Sequence, residues 1–258
     1  MSEKQIIQLV KITRWFCRYW LHIFLIAFGV FNLLPFLAPL LAELGWISGA
    51  KAIHMLYLPF CHQMAHRSFF LFGDKLMYAP NELPVTLTGD VTDNMLAMKY
   101  FIGNDTLGWK VAWSDRMVYM YGAMWLSAFL FFLFLRNKPI QPLPLLLFVG
   151  LLIPMGIDGL THTWSDFTVG GLFDSFRYTN DWLAQLTNNQ FNASFYSGDT
   201  IGSFNSWMRL ISGIGFGLAL VGFFFPLFAK DMFQKWSLLD EKLRQYHRQK
   251  YLRHHQEG

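Results

Sequence analysis

The chain has 258 residues, 53% hydrophobic, 18% aromatic and only 15% charged, with a formal net charge of +4. Soluble domains carry roughly a quarter charged residues, so this composition excludes an ordinary soluble domain and points to a membrane as solvent. Two cysteines exclude a disulfide framework, and the length allows one bundle of several spans at about 20 apolar residues each.

Residues 1–19 form a short amphipathic lead-in, with Lys4, Lys11, Arg14 and Arg18 against Glu3. Cys17 within it reads as a small interfacial hydrophobe. A first span follows over about 20–42. It is too long for a cleavable signal peptide and lacks a small-residue cleavage site, so it reads as a retained helix. Pro35 and Pro39 interrupt it, which membrane helices tolerate when neighbours satisfy the freed carbonyls.

The segment 46–72 is apolar but broken by Lys51, His54, Pro59 and Cys61-His62-Gln63. Neither half reaches spanning length without charges, so it reads as interfacial or re-entrant. From Gly73 to Ser114 the composition turns polar; Glu43 to Asp115 together hold five basic and seven acidic residues. A second span covers about 116–135 and ends at Arg136-Asn137-Lys138. After Pro139, Pro142 and Pro144 a third covers about 143–164. Residues 165–204 form a second polar loop, four aspartates against Arg177. The fourth span covers about 205–229, and Gly213, Gly215 and Gly217 give it a small-residue face suited to close helix contact. Residues 230–258 are a basic amphipathic tail, seven Lys/Arg against four acids.

Basic residues favour the cytoplasmic side. With four spans and both termini cytoplasmic, the N-terminal segment, the Arg136–Lys138 turn and the tail lie inside, and both acidic loops lie outside. A fifth span at 46–72 would put the basic tail outside. The expected fold is therefore all-α, a four-span helical bundle in one integral membrane domain, in a prokaryotic cytoplasmic membrane. The lipid bilayer is its expected partner. The tail suits anionic lipid, and no motif supports nucleic-acid binding.

This topology gathers polar residues at the outer level: Arg116 at the start of span two, Asp158 and His162 in the last turns of span three, and Asn205 and Arg209 in the first turns of span four. The Cys61–Arg67 stretch belongs to the same region. Charges inside spans normally face the bundle interior and pair. Asp158 and His162 are i, i+4, as are His62 and His66 if that stretch is helical, and such pairs share a face. Thiolate, imidazole and carboxylate are zinc-type ligands, so Cys61, His62, His66, Asp158 and His162 supply the donors of a transition-metal site. In the other reading Asp158 pairs with Arg116 or Arg209, and the histidines are interfacial hydrogen-bond donors. Asn104-Asp105-Thr106 and Asn192-Ala193-Ser194 match a glycosylation triplet that is common by chance. Asp90, Asp93 and Asn94 suit a solvated turn better than a calcium loop. Phosphate-loop, nucleophile-elbow, His-Glu-x-x-His and Cys-x-x-Cys patterns do not occur.

Cys61-His62-Gln63 with Arg67-Ser68-Phe69, Arg116 with Tyr121 and Gly122, Pro154 with Asp158-Gly159, and Asn205 with Arg209, Ser212 and Gly213 stand in an order that resembles a family. It is a group of small bacterial and archaeal multi-pass membrane proteins known as a domain of unknown function. The resemblance covers roughly residues 50–75 and 114–222. Ser114 and Met117 stand where that family has a cysteine pair, His66 where it has Glu and His162 where it has Gln. It implies either a lost metal or two thiolates replaced by imidazoles, and supplies no reaction. Two function classes follow: a metal-binding or catalytic outer site, with Arg116 and Arg209 holding an anion, or a non-catalytic subunit or small carrier in which these residues form a structural ion-pair network.

Overall fold

In the computed structural model, which describes residues 2–88, 90–136, 138–167 and 175–256, four helices are long and apolar enough to cross a membrane. Asn137 of the basic turn, residues 168–174 of the second polar loop and the last two residues of the tail lie outside the described residues.

Helix α1 (Glu3–Glu43) starts on a capping box in which Ser2 and Gln5 bond each other's backbone N–H. It ends where Gly45, at φ +81°, lets the chain reverse, with Gly45 N–H bonding Ala42 O and Trp46 N–H bonding Leu41 O. That pair of bonds is a Schellman closure, which favours glycine because a side chain strains a left-handed residue. Helix α2 (Ile47–Tyr57) has 11 residues, too few to span. Helices α4 (Asp115–Leu130) and α5 (Leu145–Asp166) match the second and third expected spans. A wide turn at Phe131–Leu135 continues α4 and closes with Arg136 N–H on Phe131 O.

The last helix, α9 (Phe204–Gln256), runs 53 residues, so the fourth span and the basic tail are one continuous element. The tail packs back on the lead-in of α1, where Arg14 pairs with Asp240. The glycine face behaves as expected. A Cβ on Gly217 would lie 2.5 Å from the backbone N of Met124, and one on Gly213 2.9 Å from the Tyr119 Cβ, so only glycine lets α9 approach α4 this closely. Gly215 faces α5 instead, near Leu151 O.

Polar composition hides structure in the first loop. Strands β1 (Ser68–Leu71), β2 (Gly103–Asn104) and β3 (Gly108–Ser114) form an antiparallel sheet in the order β1-β3-β2, with α3 (Val91–Tyr100) between the first two in sequence. Asp90 is the N-cap of α3, its carboxylate accepting from Thr92 and Asp93 N–H. Asn104 closes the β2–β3 turn by accepting from Thr106 and Leu107 N–H. Strand β3 is buried along nearly its whole length, and its Val111, Ala112 and Trp113 pack with Ala38 of α1, Ile53 and Tyr57 of α2, and Cys61. Because β3 runs straight into α4, it fixes Ser114 and Asp115 at the loop end of the bundle. In the second loop the short helices α6 (Phe176–Thr179), α7 (Asp181–Leu186) and α8 (Ala193–Tyr196) fold over the same end.

Candidate functional site: an arginine–aspartate network at the loop end

Four arginines and four aspartates from separate segments interlock here. Arg67, just before β1, forks onto the Asp166 carboxylate at the end of α5 with two bonds of 2.7 Å and sends its Nε to Asp199 at 2.9 Å. Arg209, in the second turn of α9, gives Nε to Asp115 and Nη1 to Asp199, each at 2.7 Å, and Nη2 to the Asp199 carbonyl. Asp115 also accepts the N–H of Arg116. Arg116 and Arg177 take the two oxygens of Asp158 at 2.7 and 2.6 Å. Asn205 ties the second loop to α9 by donating to Arg177 O and Gly198 O.

The charges are formally balanced, and Asp115, Asp158, Asp199 and Arg209 are at most 2% exposed. An ion buried in a low-dielectric interior is costly unless its partner is in place. Asp199 shows the resulting contest: burial alone would raise its pKa, but Arg67 and then Arg209 hold it well below the usual carboxylate range. Planar guanidinium forks suit this duty, since one arginine bonds two carboxylates at fixed angles.

The histidines divide. His66 has no exposed surface and lies 3.7 Å from Asp199, and among the described residues neither ring nitrogen has a hydrogen-bond partner. Burial, reinforced by the Arg67 charge, pushes its pKa down to about 3, so the ring is neutral. His162 receives an Arg177 N–H on Nε2 at 3.1 Å and lies 3.7 Å from Asp158. His62 is exposed. No α-helix joins it to His66: Gln63 and Met64 are not helical, Gln63 has a φ of +54°, and only a single 3-10 turn at Ala65–Arg67 carries His66, so the two histidines do not share a helix face.

Cys61 sits in a third setting. Its sulfur accepts backbone N–H groups from Gln63 and Ser114 at 3.3 Å, and its thiol donates to Ser114 Oγ at 3.4 Å. Cys17 lies at the opposite end of the bundle, and both cysteines are free. The place where the resembling family carries its first extra cysteine is therefore beside Cys61, filled here by a hydroxyl. The expected ligand set of Cys61, His62, His66, Asp158 and His162 does not converge: among the described residues, no group of three or more His, Cys, Asp or Glu is placed to hold a metal ion. Arginines have taken the carboxylates, and a fixed cation beside each carboxylate opposes a second, metallic one.

A cavity of about 90 Å³ opens onto the network, lined among others by Cys61, Arg67, Arg116, His162, Asp166 and Arg209. Of the residues singled out in the sequence, Cys61, His62, Arg67, Arg116, His162 and Arg209 thus meet at one chamber. Asp158 stands behind Arg116 and Arg177, His66 behind Arg67, and Asn205 under the second loop.

Behind the chamber lies an unforeseen cation. Lys110 of β3 is fully buried, and among the described residues its ammonium bonds the carbonyls of Gln63 and Lys99, each at 2.8 Å. Burial pushes its pKa down to about 7. Gln63 bridges onward to His54, whose pKa burial and then the Lys110 charge lower to about 4.

Residues 106–223 match the family described as "Predicted membrane protein (DUF2085)". An uncharacterized protein of Methanocaldococcus jannaschii is 44% identical over 64 residues, which cover 23% of this chain and 40% of that protein. The match thus spans about two fifths of the relative's length. No solved structure matches the chain. Over the part that carries Arg116, Asp158, Asn205 and Arg209, this chain therefore matches an uncharacterised family of predicted membrane proteins, as its motifs imply.

Proposed function

We propose that the chain is a non-catalytic multi-pass subunit or small carrier of a prokaryotic cytoplasmic membrane, with both termini and the basic 230–258 tail cytoplasmic, in which the arginine–aspartate network is a structural lock. The lock closes the two polar loops onto the outer end of the bundle. One observation carries this reading: each of the four aspartates is bonded by an arginine from another segment, so that both loops, α4, α5 and α9 are joined through buried charge. The acidic loops and basic termini support the orientation, and charges at the outer level support a site there in preference to the bilayer centre.

Removing one partner of a buried ion pair costs about 3–5 kcal/mol. Thermal melting of detergent-purified protein should therefore show Asp199→Asn strongly destabilised, because Arg67 and Arg209 both lose a carboxylate. Cys61→Ser should melt within about 1 kcal/mol of the parent, since it exchanges one weak donor for another. An Asp199→Asn variant that melts like the parent sinks the lock.

A second reading is favoured by the chamber. Arg67, Arg116 and Arg209 line it against two aspartates, and among the described residues the buried Arg116 Nε has no hydrogen-bond partner. These features suit a small anion of carboxylate or nitrate size. Formate or nitrate should then raise the melting temperature of the parent but not of Arg116→Lys; equal shifts in both proteins remove this reading.

A further inference from the structure

At the other end of the bundle several cations have no counter-ion among the described residues. Arg18 stands just before the apolar run of α1, Arg136 follows the wide turn after α4, and Lys230 follows the apolar half of α9. Three helices thus place a positive charge at one level, and Lys138 adds a fourth. Among the described residues none of the four pairs with a carboxylate, whereas Arg14, Lys235 and Arg244 farther along the termini all do. Two adjoining cavities of about 440 and 690 Å³ open at this level and share Phe131, Arg136, Ala229 and Phe233. The Arg136 guanidinium lies 4.2 Å from the Phe132 ring centre, and Arg18 lies 5.9 Å from that of Trp236. Trp236 also lines the smaller cavity, and its indole N–H is buried and has no hydrogen-bond partner among the described residues.

Free cations, a spare N–H donor and adjoining aromatic walls at a membrane boundary call for one amphiphile, anionic at its head and apolar below. Basic pockets between spanning helices are suited to such headgroups, and a buried unsatisfied donor asks for a partner. We infer that this groove holds an anionic glycerophospholipid, its phosphate taken by Arg18 and Arg136 and its acyl chains lying against Phe131 and Phe233. A zwitterionic lipid carries its own cation and competes poorly.

Native mass spectrometry of the full chain in detergent, with phosphatidylglycerol and phosphatidylcholine added in equal amounts, tests the site. The parent should retain phosphatidylglycerol at least tenfold over phosphatidylcholine. The double variant Arg18→Gln/Arg136→Gln should lose roughly 30-fold in phosphatidylglycerol retention, from about fivefold per cation. The charge-matched Lys242→Gln/Arg253→Gln, outside the groove, should retain it like the parent. Arg136→Lys, which keeps the charge, should lose no more than about threefold, and it serves if the double variant folds poorly. Equal retention of both lipids, unchanged retention in the double variant, or displacement of phosphatidylglycerol by an equal concentration of inorganic phosphate overturns the inference, the last by making the groove a free-anion site.

Discussion

At the loop end, Asp115, Asp158, Asp166 and Asp199 meet Arg67, Arg116, Arg177 and Arg209 inside the protein. At the terminal end, Arg18, Arg136, Lys138 and Lys230 are exposed and meet no carboxylate among the described residues. The difference follows from what surrounds each charge. Folded loops cover the first set, so the chain itself must provide every counter-ion. The second set lies at a membrane boundary, where long side chains reach water and headgroups. Burial therefore decides whether a charge in this molecule is structural or open to an outside partner.

The widest contrast between the two ends should come from Arg209→Leu. It strips bonds from Asp115 and Asp199 together, and melting should report a loss of at least about 3–5 kcal/mol; a loss near zero would erase the distinction. Lys110 tests whether a buried cation with no carboxylate partner among the described residues behaves differently from the paired ones. Its pKa is about 7 in the folded chain against an ordinary value of 10.5. Between those values the unfolded chain holds more protons, so stability should rise with pH across that window, by up to about 1.4 kcal/mol per pH unit. Lys110→Met should flatten that rise, and an identical slope in the variant would refute the assignment. Arg67→Lys keeps the charge but not the fork onto Asp166, and a loss of about 1–2 kcal/mol is expected from the melting curve. The smallest effect belongs to the terminal end: Arg136→Gln should change stability by less than about 0.5 kcal/mol in lipid-free detergent. A larger drop there would mean that its charge is structural after all.

Much of the bundle was legible because apolar runs need bounding charges. The first span lies between Arg18 and Glu43, and the other three have Arg116, Arg136, Asp158 and Arg209 at or near an end; the structure places their helices accordingly. Asp158 was readable as the partner of Arg116 or Arg209 because a charge within a span is conspicuous, and the structure pairs it with Arg116 and gives Arg209 to Asp115 and Asp199. Asp199, Arg177, Asp166 and Asp115 were not, since an aspartate in a polar loop looks the same whether it is solvated or fully enclosed; only the fold over the loop end separates the two. Lys110 left a fainter signal, one lysine within the otherwise apolar Trp109–Trp113 run of a segment that reads as loop. The metal expectation finds no support among the described residues: the i, i+4 pairing of His62 and His66 required an α-helical turn, and Gln63 in the left-handed region breaks it.

The length of α9 has a mechanical consequence. Arg209 and Lys230 are 21 residues apart on one helix, about 30 Å at ~1.5 Å per residue, which is the thickness of a bilayer's hydrocarbon core. Shifting the helix by one turn in either direction would pull Arg209 off Asp115 and Asp199, and in one of them would also draw Lys230 towards lipid. The long rod is thus pinned at both faces, and motion between the lock and the basic termini must come from rotation or tilt, because sliding along the membrane normal is closed to it.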